Sequence, residues 1–429
     1  MYQPLINRST LRSRQRSGTA GPFDITDYDG VRERGQTEAH VSVLNYVNKS
    51  VDDQLSSLVL CEWNFDRAEV RRIVKCSSPT GLPASWQGVT SAFYRVWAGL
   101  TGPPDSIMEI FRHVYQVASS VADRNLFQYL FVGDNTVLLD TGASYTPSET
   151  ILPFLKQIGI EPSRLTMAIN THADADHHGG NASLKQIAGQ VMLTCGEQDR
   201  FIIENPDRLF ASRYDQWIPD HGVGLGLNPE ASAWVRKMVG PPQRIDQTLV
   251  GGEHIRIDDE RSLQVLHVPG HSDGHLALYD PVERAVFVGD ALHGRYCPTK
   301  TGEPSLPPAY YSVLAYLGTL QMLHAFDIDW IYSGHWPAFH GSQVSEFLAE
   351  SRRFVDSASN MVWQALEKHP AGITLQACMD QCGPALGAWP LNNQWLLMYP
   401  LHGHLLHLEQ QGRVTKLAGE GHVQWKIAN

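Results

Sequence analysis

The sequence contains, at positions 171–181, the stretch Thr171-His172-Ala173-Asp174-Ala175-Asp176-His177-His178-Gly179-Gly180-Asn181. Five of these side chains can bind a metal ion, and they fall within seven positions. Residues 165–170 are mostly apolar and predict a short buried strand. Residues 182–188 predict a helix for which Asn181 is a suitable N-cap. The cluster is therefore predicted to lie on a strand-to-helix turn, where its side chains can converge.

The density of carboxylates and imidazoles in this stretch favours a metal site. Packed together without a cation, such groups would repel one another or be costly to desolvate. A single His or Asp is more often part of a solvated loop. Here the run follows an apolar strand and ends in two glycines, so we interpret it as a metal-binding cluster.

Composition limits the classes of protein that the chain can belong to. It has 429 residues, 42% hydrophobic and 18% charged, which is typical of a globular protein of two or three domains. The net charge of -11 argues against nucleic acid as a partner, and the lack of a long apolar run argues against membrane insertion. A small-molecule substrate is the expected partner.

Six scattered cysteines predict reduced thiols and a cytoplasmic protein, although the Arg- and Ser-rich start also resembles an organelle transit peptide.

The chain divides into three predicted regions. Residues 1–105 form an irregular N-terminal extension that is partly disordered or arm-like, either a cover or the dimerisation arm of a homodimer. In residues 106–345 strands and helices alternate, which predicts a layered α/β domain, and residues 197–245 form an insertion that would act as a lid. Residues 346–429 predict helices followed by a hairpin, an arrangement that resembles a winged helix. From residue 361 onward acidic and basic residues balance, four of each, so DNA binding is not favoured.

Three further candidate ligands stand at predicted strand ends. They are His271 in Pro269-Gly270-His271, Asp290 after Gly289, and His335 after Gly334. Each residue alone is weak evidence for a metal site, because a polar residue at a strand end more often only forms hydrogen bonds. Together with the 171–181 cluster, they predict a shared site.

The order of these motifs resembles that of the metallo-β-lactamase fold hydrolases. The motifs are Asp140-Thr141-Gly142, the 171–180 cluster, Pro-Gly-His-Ser-x-Gly-His at 269–275, Gly-Asp at 289–290 and Ser-Gly-His at 333–335. The lactonase, glyoxalase II and thioesterase-like branches are the most similar, over residues 106–345. The resemblance implies a four-layer αββα sandwich with a metal site at one edge of its two sheets.

The resemblance also implies a role for each ligand. His172, Asp174 and His271 would hold a first divalent metal ion, and Asp176, His177 and His335 a second, with Asp290 between them. Zinc is the expected metal. Asp140 would orient a ligand imidazole, His275 would be structural, and His178 lies where the family varies.

Asp174 departs from the family pattern, which most often has His there. With Asp174, three carboxylates give the ligand set a charge of -3 instead of -2. The extra carboxylate shifts the preference toward manganese or iron. The di-iron flavodiiron branch of this fold carries Glu at the same place. Asp174 could alternatively weaken the first site and leave a single metal ion near Asp176.

The expected activity is hydrolysis of an ester-like bond in a lactone, ester or thioester by a metal-bridging hydroxide. Asp176 would orient the nucleophile, and His178, Tyr214, His293 and Tyr296 are candidate proton donors. Aromatic residues in the insertion predict an apolar or aromatic substrate, unless they only pack the insertion onto the core. Three alternatives stay open: a di-iron oxidoreductase, a nucleic-acid-processing hydrolase and a hydrolytic dehalogenase.

Overall fold

The computed structural model describes residues 38–43, 61–66, 108–417 and 421–428. Residues 1–84 and residues 85–429 form two compact units. In the first unit β1 (Glu38–Val43) pairs antiparallel with β2 (Cys61–Asp66). Most of the predicted 1–105 extension lies outside the described residues, so its predicted roles stay predictions.

A seven-stranded sheet forms one half of the second unit. Its strands lie in chain order, antiparallel from β3 to β6 and parallel from β6 to β9. They are β3 (Met108–Phe111), β4 (Val114–Val121), β5 (Arg124–Phe131), β6 (Thr136–Leu139), β7 (Leu165–Asn170), β8 (Met192–Gly196) and β9 (Gln247–Leu249). The predicted strand before the 171–181 cluster is β7.

A six-stranded sheet forms the other half. Its order is β10-β11-β12-β13-β16-β17, and only β13 and β16 are parallel. The strands are β10 (His254–Arg256), β11 (Ser262–His267), β12 (Leu276–Asp280), β13 (Ala285–Phe287), β16 (Trp330–Tyr332) and β17 (Phe339–His340). A separate pair, β14 (Cys297–Pro298) and β15 (Pro304–Leu306), lies outside this sheet.

The two sheets pack face to face. Side chains alternate between the two faces of each sheet along every strand. One face packs against the other sheet and the opposite face against helices, so both faces are buried. Tyr129, Phe131 and Ile169 of the first sheet share a core with Leu278 and Phe287 of the second.

Helices cover the two outer faces. A π-helical turn Pro147–Ile151, α1 (Leu152–Gln157) and α3 (Asn181–Ile187) pack on the first sheet. On the second sheet lie α8 (Val313–Ala325) and the amphipathic α9 (Ser342–Lys368). The architecture is therefore the αββα sandwich that the family resemblance implied. Among the described residues, none of the helices combines the length and apolar character that crossing a bilayer requires.

The C-terminal region is helical, as predicted. It contains α10 (Leu375–Leu386), a 3-10 helix Leu391–Leu397 and α11 (Met398–Gln410). A small sheet in the order β18-β20-β19 is formed by β18 (Ile373–Thr374), β19 (Val414–Leu417) and β20 (Gln424–Ile427). Its apolar residues share one core with α8, α9 and the second sheet. The predicted domain boundary after residue 345 falls inside α9.

The 197–245 insertion consists of short helices. They are a 3-10 turn Glu197–Asp199, α4 (Arg200–Ile203), α5 (Pro206–Leu209), a π-helical turn Phe210–Tyr214, α6 (Ile218–His221), a 3-10 turn Leu225–Leu227 and α7 (Pro229–Val239). Phe210 and Tyr214 are buried in a core with Leu126 and Ala175, whereas Phe201 and Trp234 are exposed. The buried aromatic residues thus pack the insertion onto the domain.

Candidate metal centre

The predicted ligands meet at one edge of the sandwich. The 171–181 stretch follows β7 and includes the single-turn helix α2 (Ala175–His178), while His271 follows β11. Asp290 and His335 follow β13 and β16, which are parallel, so their carboxyl ends face the same way. This places residues from distant parts of the chain within a few ångströms of one another.

One group of donors consists of Asp176, His177, His335 and Asp290. The ligand atoms of Asp176, His177 and His335 lie within 4.8 Å of one another. His177 Nε2 lies 3.4 Å from His335 Nε2. Asp290 approaches both imidazoles, with its oxygens 3.7 Å from His177 Nε2 and 3.2 Å from His335 Nε2. The ligand atoms of His177 and Asp290 also lie within 4.8 Å of that of His172, so these two residues connect this group to the other.

The hydrogen bonds on the outer side of these imidazoles fix their tautomers. His177 Nδ1 donates to Asp140 Oδ2 at 2.8 Å, and His335 Nδ1 donates to the Asn125 carbonyl at 2.7 Å. The Asp140 carboxylate and the Asn125 carbonyl can only accept, so Nδ1 of each imidazole carries a proton and Nε2 points inward. This is the orientation of metal-binding histidines.

A divalent cation fits this group. The Nε2 atoms of the two imidazoles face each other and two carboxylates, and among the described residues the buried Asp290 Oδ1 has no hydrogen-bond partner. Burial opposes protonation of His177, but Asp290 and Asp140 outweigh it and hold the pKa of His177 well above its ordinary value. Burial likewise opposes protonation of His335, and Asp290 raises its pKa. The site thus attracts positive charge, which a metal ion would supply.

The other group consists of His172, Asp174 and His271. Asp174 Oδ2 lies 3.5 Å from His172 Nε2 and 2.8 Å from His271 Nε2. His172 is fully buried, and burial together with His177 and His275 holds its pKa well below the ordinary value. Its Nδ1 contacts Thr171 Oγ1 at 2.9 Å, while its Nε2 has no hydrogen-bond partner among the described residues.

Asp174 has a partner that the sequence did not indicate. The guanidinium of Arg213 donates to both carboxylate oxygens, with Nε 2.7 Å from Oδ1 and Nη2 3.0 Å from Oδ2. Burial would raise the pKa of Asp174, but Arg213 outweighs it and holds the pKa well below its ordinary value. The bidentate pair occupies the Asp174 carboxylate, so this group fits a divalent cation less well than the other.

Backbone geometry brings Asp140 and Gly334 into place. Asp140 adopts a left-handed conformation (φ 61°) and accepts from the Thr171 amide at 2.7 Å, which ties the end of β6 to the cluster. A Cβ at Gly334 would lie 2.7 Å from both Asp290 Oδ1 and His177 Cε1. Only glycine allows the chain to pass so close to the ligands.

The other predicted residues have different surroundings. Tyr214 accepts from the Ala175 amide at 3.1 Å and donates to Asp174 Oδ1 at 3.4 Å. His178 is buried, which lowers its pKa to about 4, and its Nε2 has no partner among the described residues. His293 Nε2 lies 3.1 Å from His271 Nδ1. The hydroxyl of Tyr296 donates to the Gly302 carbonyl at 3.4 Å, and its carboxylate neighbours are Glu350 and Glu303 rather than predicted ligands.

His275, for which the resemblance implied a structural role, lies beside His172. Its Nε2 contacts the Val288 carbonyl at 3.0 Å, and its ring stacks on His172 with centroids 4.5 Å apart. Sequence reasoning missed Arg213, which belongs to the insertion. The extra negative charge of Asp174 predicts a cationic partner nearby. The insertion contains several arginines, however, and their spacing does not show which one pairs with Asp174.

The fold and the converging donors define an αββα domain with a candidate metal centre. Residues 125–335 match the model of the metallo-beta-lactamase superfamily, and this part of the chain is a domain of that superfamily. A metallo-beta-lactamase family protein from Thermus thermophilus has a similar solved structure, with a TM-score of 0.56 and 19% identity, over 74% of this chain and 100% of that one. That likeness concerns the fold alone.

Two curated relatives are similar in sequence. Hydroxyacylglutathione hydrolase GloC from Haemophilus influenzae is 25% identical over 158 residues, 37% of this chain and 61% of the relative. Acyl-coenzyme A thioesterase MBLAC2 from Gallus gallus is 29% identical over 133 residues, 30% of this chain and 43% of the relative. The matches thus span less than two thirds of either relative.

Proposed function

We propose that this protein is a metal-dependent hydrolase of ester-like bonds, with acyl thioesters as its principal substrates. The observation that carries the proposal is the convergence of Asp176, His177 and His335 on one point, with both Nε2 atoms facing inward. Asp290 lies beside both imidazoles, and its Oδ1 has no hydrogen-bond partner among the described residues. Membership of a superfamily that contains metallohydrolases supports it.

These four residues would hold the divalent cation, zinc by the precedent of the family, with manganese or iron as the alternatives. A cation bound there would lower the pKa of water and polarise the carbonyl of the substrate. Asp140 and the Asn125 carbonyl keep the two imidazoles in the correct tautomer and orientation. Asp176 is the most exposed of the four, at 16%, and would accept a hydrogen bond from the attacking water.

The surroundings of the candidate proton donors favour a thioester. Tyr214 already donates to Asp174, and burial, followed by the charge of Asp174, holds its pKa well above the ordinary value. His178, with a pKa of about 4, is neutral at pH 7. A thiol has a pKa of about 8.5, so a thiolate leaves without a strong acid, whereas an alkoxide needs one. The names of both relatives describe hydrolysis of an acyl group carried on a thiol.

A metal-reconstitution assay tests the proposal. Protein stripped by a chelator would be reloaded with zinc, manganese or iron and offered acyl-glutathione and acyl-coenzyme A thioesters, an aryl ester and a lactone. We expect hydrolysis that depends on metal and is fastest on a thioester. His335→Ala should lose at least about 100-fold in kcat/KM, whereas His324→Ala, an exposed histidine on α8, should not change it.

Two results would overturn the proposal. One is the absence of bound metal together with no hydrolysis of any substrate under any metal. The other is oxygen consumption by a coloured protein in the presence of a reductant, without hydrolysis, which would identify the di-iron oxidoreductase alternative. Faster cleavage of the lactone or the aryl ester would keep the hydrolase assignment and reject the thioester preference.

A further inference from the structure

The guanidinium of Arg213 is built into the metal centre. Its side chain is 4% exposed, and it makes four contacts there. Two are the bonds to the Asp174 carboxylate described above. In addition Nη1 donates to the His271 carbonyl at 2.5 Å, and Nη2 lies 2.9 Å from His271 Nε2. Arg213 therefore engages two of the three residues that the family resemblance assigns to a first metal ion.

The backbone and a neighbouring ring fix Arg213 in this position. It lies in the π-helical turn Phe210–Tyr214, a kind of element that is frequent at functional sites. Its carbonyl accepts from the Tyr399 hydroxyl at 2.8 Å, and its guanidinium lies 5.0 Å from the centre of the Tyr399 ring. The residue is thus held from both ends, and its position does not depend on Asp174 alone.

The Arg213–Asp174 pair occupies the Nε2 side of the His271 ring. His271 Nδ1 lies 2.6 Å from the Ala309 carbonyl on the other side of the ring. His271 Nε2 lies 2.9 Å from Nη2 of Arg213 and 2.8 Å from Asp174 Oδ2. Nε2 can bind a metal ion only if these two hydrogen-bonding contacts are given up.

The charges of Arg213 and Asp174 also disfavour a metal ion between Asp174 and His271. Arg213 carries a permanent positive charge, and the planar fork of its donors matches a carboxylate. Paired with Arg213, Asp174 adds no net charge, so the pair replaces the neutral His that the family usually has. A divalent cation between Asp174 and His271 would lie directly beside this buried positive charge.

We propose that the Arg213 guanidinium takes the place of the first metal ion, so that the protein binds one divalent cation, at Asp176, His177, Asp290 and His335. Arg213 is then a positioning residue: it holds Asp174 and His271 at the edge of a one-metal centre. The inference rests on the proposed function only in requiring a cation at the second group of donors.

The number of bound metal ions tests this directly. Wild-type protein dialysed against excess zinc and then analysed by mass spectrometry should contain one ion per chain. Arg213→Met keeps most of the side-chain volume and removes the charge, so it should free His271 and Asp174 and raise the content to two. With manganese, the electron paramagnetic resonance spectrum should show isolated ions in the wild type and coupled pairs in the variant.

A second variant guards against misfolding, because Arg213→Met leaves a buried carboxylate unpaired. The double variant Asp174→His with Arg213→Met removes both charges together and should also bind two ions. Arg261→Met is the control: Arg261 is another buried guanidinium, paired with Asp280 at 3.0 Å, and its loss should leave the content at one.

Two ions in the wild type would overturn the inference and leave the proposed function intact. One ion in the wild type and still one in the double variant would also overturn it, because Arg213 would then not be the cause. No ion in any of these proteins would overturn the proposed function as well.

Discussion

At the scale of single residues, the candidate centre depends on close approach. Gly334 lies between Asp290 and His177, where a Cβ would be 2.7 Å from atoms of each. The same residue donates its amide to the Gly289 carbonyl at 3.0 Å, so its backbone cannot withdraw without breaking the link between the loops after β13 and β16. Any side chain larger than that of glycine at this position would therefore meet both predicted ligands.

Substitution of Gly334 tests this geometry. In Gly334→Ala the new methyl group should displace Asp290 or His177, and we expect metal affinity to fall by at least about 10-fold. Isothermal titration with zinc into the stripped protein measures the change. Gly318→Ala on α8 is the control, since a Cβ there meets no atom within 4 Å. Equal affinity in the two variants would show that the loop relaxes freely.

At the scale of elements, α11 contributes one buried histidine, His404. His404 Nε2 lies 2.9 Å from the Tyr310 hydroxyl, and Nδ1 lies 3.1 Å from Ser359 Oγ. Burial, with a smaller contribution from His407, lowers the pKa of His404 to about 3. The imidazole therefore joins α11 to α9 and to the loop before α8 in its neutral form.

This burial predicts a dependence of stability on pH. Below about pH 6.5 the unfolded chain protonates His404 while the folded protein does not until about pH 3, so protons favour the unfolded state across that window. Stability should be complete above about pH 6.5 and fall as the pH decreases, by about 1.4 kcal/mol per pH unit for this group. His404→Gln should remove this contribution to the pH dependence of the free energy of unfolding, measured with urea at pH 7, 6 and 5. His324→Gln, an exposed control, should retain the wild-type slope; an unchanged slope in His404→Gln would contradict the prediction.

At the scale of the whole molecule, the contact between the two sheets sets the shape of the candidate metal centre, because each sheet contributes predicted ligands. Phe287 stands at the middle of that contact. It stacks on Tyr332 with centroids 5.1 Å apart and meets Tyr129 and Phe131 edge-on at 4.9 Å. It is also the last residue of β13, three positions before Asp290.

Truncation of Phe287 should therefore affect stability more than any surface change. We expect Phe287→Ala to reduce the free energy of unfolding by about 3–5 kcal/mol, measured by urea denaturation, because a large cavity would open between the sheets. Phe201→Ala, with the aromatic residue 64% exposed, should change it by less than about 1 kcal/mol. A loss below about 1 kcal/mol in Phe287→Ala would show that the sheets repack around the gap.

The sequence by itself determined a layered α/β domain, the strand before the 171–181 cluster and the set of residues that converge, whereas the αββα sandwich was what the family resemblance implied. The first three follow from local patterns: apolar strands that alternate with helices, and polar residues with glycine at strand ends. Whether the seven predicted ligands bind metal stays a prediction. Only the tertiary structure showed Arg213 on Asp174, and it separated Tyr214, which contacts Asp174, from Tyr296, which bonds to Gly302. The physical reason is that an ion pair between residues 39 positions apart depends on how an irregular insertion folds back over the sheet edge. The periodicity of the residues does not predict that path.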